Sequence, residues 1–163
     1  MRVGSGVLVV LNLWPASFAS HASQSARLHT LRPMSAVTLV QVPTGRRSVR
    51  EGVYTASQAK RGKDAYEYSC AGCHLTSLEG DPGRDIPALS GEEFLTHWSN
   101  QTVRDLFDVI RKSMPADSAG SLRAETYIDI VAYLLQSNHF PSGEKDLTSD
   151  SASLGDVVID KSP

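Results

Sequence analysis

The chain has 163 residues, the length of one domain with additional terminal segments. Lys and Arg together number 16 against 18 Asp and Glu, so the formal net charge is only −2. This balance argues against a strongly basic nucleic-acid-binding protein, and it provides no bulk attraction to an anionic membrane surface.

The first 22 residues have the pattern of an export signal peptide. Arg2 supplies a positive charge, residues 3–14 form a short apolar run, and the small residues that follow offer cleavage after Ala19 or Ala22. The run is shorter than the roughly 20 residues that a transmembrane helix needs. We therefore expect export to the periplasm with no transmembrane span after signal removal, and membrane association if the signal stays uncleaved.

The composition changes three more times along the chain. Residues 23–52 are rich in Ser and Arg without periodicity, which predicts a linker that settles onto the domain near residues 49–54. The patterned region, residues 53–140, is the predicted folded domain. Residues 141–163 are polar and acidic, so we expect a disordered tail in which residues 156–160 could add a short extended segment.

Three amphipathic helices and no strand pattern are predicted inside the domain, which makes it all-α. The first helix begins at Thr55, with Gln58 at the third position as in a capping box, and ends at Cys70. The second covers residues 102–114, with Thr102 at its N-cap, and the third covers about residues 124–136. Apolar side chains recur along each of them at helical spacing.

A glycine in the middle of the first helix predicts a helix crossing. Gly62 costs about 1 kcal/mol relative to alanine in a helix interior. We expect a second helix to approach closely at this position.

The only two cysteines, Cys70 and Cys73, are followed directly by His74. Cys-x-x-Cys-His is the attachment pattern of c-type haem, because each thiol can add across one vinyl group while the histidine reaches the iron. Three other readings stay open at this point. The cysteines could form a dithiol redox pair, a disulfide, or part of a zinc site with two of His74, His97 and His139.

A second iron ligand can be sought by elimination. Electron-transfer haems usually take Met or His as the sixth ligand. Met1 lies in the predicted signal and Met34 in the predicted linker, whereas Met114 follows an amphipathic helix and precedes Pro115. Although a lone methionine is more often a core residue, we predict His74 and Met114 as the axial pair. His97 and His139 are expected to face solvent.

Four segments, in this order, resemble a class I c-type cytochrome, specifically the small bacterial monohaem form with a Met-Pro distal motif. They are "RGKDAYEYSCAGCH", "DIPALSG", "SMPADSAGSL" and "DIVAYLLQSN". The resemblance extends over residues 53–138. It implies the class I cytochrome c fold, with three main helices around one covalently attached haem c.

The resemblance also assigns further residues. It implies that the Pro87 carbonyl accepts a hydrogen bond from the His74 ring, that Leu89 packs on the haem, and that Trp98 lies near the haem propionates. It also implies that Ile130 and Tyr133 of the last helix meet Gly62 and Tyr66 of the first.

An iron held by His74 and Met114 has no open coordination position, which argues against an enzyme acting at the iron. The expected function is to carry single electrons, by Fe(II)/Fe(III) cycling, between redox protein partners such as a dehydrogenase, an oxidase or a respiratory complex. Two alternatives are a haem enzyme or gas-binding sensor with a labile Met114 ligand, and a permanent haem subunit of an oxidoreductase complex.

Overall fold

The computed structural model describes residues 45–161, so the predicted signal peptide and most of the predicted linker lie outside the described residues. The helices are α1 (Ala56–Ser69), α2 (Ala71–His74), α3 (Gly91–Trp98), α4 (Val103–Ser113), α5 (Ala124–Ser137) and α6 (Ser151–Gly155). Short 3-10 helices cover Val49–Glu51 and Pro82–Arg84, and the strands are β1 (Arg47–Ser48) and β2 (Val157–Val158). The all-α prediction is confirmed, and the three predicted helices correspond to α1, α4 and α5.

Side-chain caps begin two of the main helices. At the start of α1, the Thr55 hydroxyl accepts a hydrogen bond from the backbone N–H of Gln58. At the start of α4, Thr102 and Asp105 form a complete capping box. Helix α5 begins after Arg123 with no side-chain cap, so packing rather than capping fixes its first turn.

Helix α3 was not predicted from the sequence. It has eight residues and buries only Phe94 and Trp98, whose rings lie 6.3 Å apart. Two buried residues in two turns are too few for a periodicity signal. Both aromatic rings are buried in the hydrophobic core of the domain.

The close crossing of α1 and α5 at Gly62 confirms the sequence prediction. A Cβ atom placed on Gly62 would lie 1.8 Å from the carbonyl oxygen of Asp129 in α5. One turn further along, the rings of Tyr66 and Tyr133 meet with centroids 5.3 Å apart. Any side chain larger than hydrogen at residue 62 would therefore separate the two helices.

The prediction of a disordered tail is wrong over residues 141–161. Four apolar side chains from this segment are buried: Leu147, Leu154, Val157 and Ile159. The buried side-chain amide of Gln58 donates to the Leu147 carbonyl at 2.9 Å and accepts from the Leu147 N–H at 2.7 Å. Because the segment satisfies its backbone groups on the domain, it stays ordered despite its polar composition.

Charged and hydroxyl groups add to this attachment. The guanidinium of Arg61 bonds both to Asp129 on α5 and to Asp146 of the tail, at 2.9 and 2.8 Å. The Thr55 hydroxyl also donates to Asp146. Hydrogen bonds from Thr55, which has the larger effect, and from Arg61 hold the pKa of the Asp146 carboxyl below its usual range.

The end of the tail forms the short extended segment that the sequence allowed for residues 156–160, although the tail as a whole was expected to be disordered. Strand β2 pairs in parallel with β1, with Arg47 opposite Val157. The Ile159 carbonyl accepts from the Asn100 N–H, and the Ile159 N–H donates to the Gln101 carbonyl. The tail thus fixes the turn between α3 and α4. Val49, Val53 and Tyr54 are buried beside it, in agreement with a linker that settles onto the domain.

No helix between residues 45 and 161 combines the length and the apolar character that crossing a bilayer requires.

We predict that Gly62→Ala lowers the free energy of unfolding by about 1–2 kcal/mol. The overpacking cost of about 1–3 kcal/mol outweighs the gain of about 1 kcal/mol in helix propensity, because the contacted atom belongs to backbone. Denaturant unfolding of the matured protein, followed by circular dichroism, measures the change. Lys63→Ala on the exposed side of the same helix is the control and should change stability by less than about 0.5 kcal/mol. Equal stability of the two variants would contradict the crossing.

Candidate functional site

A cavity of about 760 Å³ opens into the side of the domain, lined mainly by apolar side chains. Every site residue predicted from the sequence contributes to its lining: Cys70, Cys73, His74, Pro87, Leu89, Trp98 and Met114. These residues come from the junction of α1 and α2, from α2 and α3, from the loop between α2 and α3, and from the end of α4. The volume falls in the range of small-molecule and cofactor sites.

The two cysteines lie where α1 passes into α2. Cys70 ends α1, and its carbonyl accepts from the Cys73 N–H at 3.1 Å and from the His74 N–H at 3.0 Å. Both thiols are free; Cys70 is half-buried and Cys73 is exposed. Burial, with a smaller contribution from the negative charge of a Cys73 thiolate, raises the pKa of the Cys70 thiol to about 11. The single turn of α2 therefore sets both thiols at the cavity with the histidine directly after them.

The buried His74 ring is held by one hydrogen bond. Its Nδ1 lies 3.2 Å from the Pro87 carbonyl oxygen. A carbonyl can only accept, so Nδ1 carries the proton and Nε2 keeps its lone pair. A histidine in this tautomer is prepared to bind a metal through Nε2, and the carbonyl at Nδ1 fixes the ring orientation.

The loop between α2 and α3 folds back on itself to deliver this carbonyl. Asp81 and Ile86 exchange two backbone hydrogen bonds, of 2.8 and 3.0 Å, across the turn. Gly80 has φ +67°, and a Cβ at this position would lie 2.4 Å from the Ile86 carbonyl oxygen and 2.5 Å from that of Pro87. The loop can therefore bring Pro87 close to His74 only with glycine at residue 80.

Met114 is the C-cap of α4 and is half-buried. Its N–H donates to the Ile110 carbonyl at 2.9 Å, and its own carbonyl accepts from the Tyr127 hydroxyl at 2.8 Å. The same hydroxyl also accepts from the Leu122 N–H at 3.4 Å. The backbone of Met114 is thus tied both to the helix that precedes it and to α5.

Sequence reasoning missed Asn138, which is buried at the end of α5. Its amide nitrogen donates to the carbonyls of Leu89 and Leu134 at 3.1 and 2.9 Å, and its side-chain oxygen accepts from the Gly91 N–H at 3.0 Å. These bonds hold the cavity wall at Leu89 against α5. An asparagine at a helix end is common, so no pattern in the sequence distinguishes this one.

The two histidines expected to face solvent are both exposed. His97 also lies at the cavity mouth, where its ring meets that of Trp98 edge-on at 4.9 Å. His139 is absent from the cavity lining. In the part of the chain that the structure describes, no three His, Cys, Asp or Glu side chains converge as a metal-binding group.

The donor set of the cavity fits a haem. Two free thiols one turn apart lie at one edge, and the cavity also presents a buried imidazole with a free Nε2 and a thioether within apolar walls. The helices, the cavity and these donors together define a protein with the cytochrome c fold.

Comparison with known families agrees with this class. Residues 57–134 match the family model described as cytochrome c oxidase, cbb3-type, subunit III. This segment is a c-type cytochrome domain, and its cofactor is one covalently bound haem c. No curated protein and no solved structure matches the chain.

We predict that Gly80→Ala destabilises the matured protein by at least about 2 kcal/mol. The left-handed backbone disfavours alanine, and its Cβ would press on the Pro87 carbonyl. Gly83→Ala in the same loop is the matched control, since its Cβ would meet only the Asp81 side chain, at 3.3 Å. We expect the control to differ from the parent by less than about 0.5 kcal/mol. Denaturant midpoints compare the two, and equal losses would refute the role of Gly80.

Proposed function

We propose that this protein is an exported monohaem class I cytochrome c that carries single electrons between redox proteins. Thioether bonds from Cys70 and Cys73 would hold the haem, and His74 and Met114, in a Met-Pro distal motif, would ligate the iron. The observation that carries the proposal is the shared cavity. All four side chains reach it, and the His74 tautomer is set by the Pro87 carbonyl.

The haem supplies a one-electron Fe(II)/Fe(III) couple, and the chain's own residues tune it. Apolar walls that include Leu89, Phe94 and Trp98 exclude water and disfavour the additional charge of ferric iron. A methionine thioether favours the softer ferrous state. Both effects would raise the reduction potential, and with His74 and Met114 both bound to the iron no coordination position would remain for a substrate.

The contacts of the distal segment favour a carrier over a gas sensor or a haem enzyme. The Ser118 N–H donates to the Pro115 carbonyl at 2.9 Å, and the Ser121 N–H donates to the Ser118 carbonyl at 3.1 Å. Together with the Tyr127 bond to the Met114 carbonyl, these contacts oppose displacement of the methionine. A labile ligand would require a loop with fewer internal bonds.

A permanent subunit of a respiratory oxidoreductase is the second candidate. It is favoured by the match of residues 57–134 to a family described as an oxidase subunit. Both roles use the same haem chemistry and differ in the lifetime of the complex. Purification from the native membrane and periplasmic fractions distinguishes them, because a subunit co-purifies at a fixed ratio while a free carrier does not. Export itself is tested by sequencing the N-terminus of the mature protein.

The ligand assignment is tested by Met114→Ala, made in a host that attaches c-type haem. We expect the haem to remain covalently bound, the reduction potential to fall, and the weak near-red band of the ferric protein to disappear. The iron should then bind added cyanide or carbon monoxide readily. Ile110→Ala, which also enlarges the cavity but removes no donor, is the control and should keep the band. A Met114 variant with the parent spectrum and potential would show the distal ligand to be another residue.

A pair of tyrosine variants tests how Met114 is held. Tyr127→Phe removes the hydroxyl bonded to the Met114 carbonyl, so we expect faster cyanide binding to ferric protein. Tyr66→Phe is the control, because it removes a comparable hydrogen bond on the other side of the cavity. There the Tyr66 hydroxyl donates at 2.7 Å to the carbonyl of Leu75, the residue that follows His74. Each loss should destabilise folding by about 0.5–1.5 kcal/mol. Stopped-flow cyanide binding should separate the variants, and equal rates would contradict the positioning role of Tyr127.

A further inference from the structure

Two large apolar side chains are exposed at the mouth of the haem cavity. Tyr68, at the end of α1, is 94% exposed, and Val109 on α4 is 52% exposed. Both contribute to the cavity lining, so they lie where an approaching protein would come nearest to the cofactor. Apolar side chains placed together around an opening are typical of a contact surface.

The formal charge on this lining is of one sign. Three carboxylates contribute to it, Asp85, Glu93 and Asp117, and no Lys or Arg does so in the described part of the chain. All three are exposed, and none of them forms an ion pair among residues 45–161. His97 also lies at the mouth. The opening therefore presents a negative potential.

Cations near the mouth do not cancel this potential. Arg84 is bonded to Asp81 at 2.6 Å, and Lys112 on α4 is bonded to Asp108 at 3.0 Å. Arg111, also on α4, is exposed but does not line the cavity. The three mouth carboxylates belong to the loop after α2, to α3 and to the loop after Met114, so they come from three separate segments around the opening.

We propose that this mouth, formed by Tyr68 and Val109 with Asp85, Glu93 and Asp117, is the docking surface for a redox protein with a basic face. The proposal rests on the electron-carrier function. Lys or Arg side chains around the partner's own redox site would be steered to the carboxylates. The apolar centre would make a small contact that releases quickly.

The sign of charge at the mouth can be measured with two small oxidants. Reduced, matured full-length protein is mixed with tris(phenanthroline)cobalt(III), a cation, or with ferricyanide, an anion. In each reaction one electron leaves the ferrous protein and reduces cobalt(III) to cobalt(II) or ferricyanide to ferrocyanide, with no proton transferred. Rates are followed from low ionic strength, about 0.01 M, to about 0.1 M, over which the Debye length falls from about 30 to about 10 Å. A pH of about 8, above the ordinary pKa of histidine, is used.

Two charge-matched variants locate the effect. Asp85→Asn, Glu93→Gln and Asp117→Asn are combined in the test variant. Asp64→Asn, Glu125→Gln and Glu144→Gln are combined in the control, which removes the same charge from exposed residues outside the cavity lining. We expect salt to slow oxidation of the parent by the cobalt complex and to accelerate oxidation by ferricyanide. At low ionic strength the test variant should react about tenfold more slowly with the cobalt complex, and the control should retain the parent's salt dependence.

The outcomes separate this proposal from the proposed function. If both oxidants react rapidly but the salt dependence is reversed, or is equal in the test and control variants, the acidic docking surface is refuted and the carrier function stands. If neither oxidant reacts at a measurable rate, the cofactor is closed to outer-sphere exchange, and both proposals fail.

Discussion

The direct backbone contact between α1 and α5 at Gly62 is the constraint on which the cavity depends. The absence of a side chain lets Asp129 approach, and this fixes both the direction and the register of α5 against α1. Helix α1 leads into the turn that bears Cys70 and His74. Helix α5 carries Tyr127 and Asn138, which hold the segments on the other walls. One crossing therefore sets the separation between the thiols and the thioether.

The cavity walls are largely irregular segments whose carbonyl groups are held by individual side chains. Tyr66 holds the Leu75 carbonyl, Asn138 that of Leu89, and Tyr127 that of Met114, while His74 is itself held by the Pro87 carbonyl. Loops lack the repeating bonds of a helix, so they are positioned only where a donor from a rigid element reaches them. The helical scaffold thus gives fixed geometry to segments that would otherwise adapt to any bound group.

The sequence predicted those features that depend on a local pattern of residues. It did not predict features that depend on contacts between residues far apart along the chain. Helices α1, α4 and α5 could be predicted because each carries an apolar stripe longer than two turns, and the residues lining the cavity could be predicted from the Cys-x-x-Cys-His motif and the resemblance. Gln58 was misleading, because its spacing from Thr55 fits a capping box while its side chain bonds to Leu147 instead. The sequence predicts a disordered tail because the segment is polar and acidic and its four buried residues, 147, 154, 157 and 159, are too few and too widely spaced to form one sustained period. Helix α3 and the role of Asn138 depend on contacts between residues that lie far apart along the chain, and a local sequence pattern does not contain such contacts.

The parallel pairing of β1 with β2 has a mechanical consequence. Both strands run in the same direction, one at the start and one near the end of the described chain. A force that pulls the residues before Arg47 away from those after Val158 acts along the strands, so it shears their hydrogen bonds together rather than opening them one by one. The hydrogen bond from Ser48 to Asp160 adds a side-chain link along the same line. A domain tethered at both ends would therefore transmit tension through this short ladder, and the helices around the haem would remain unloaded until the ladder failed.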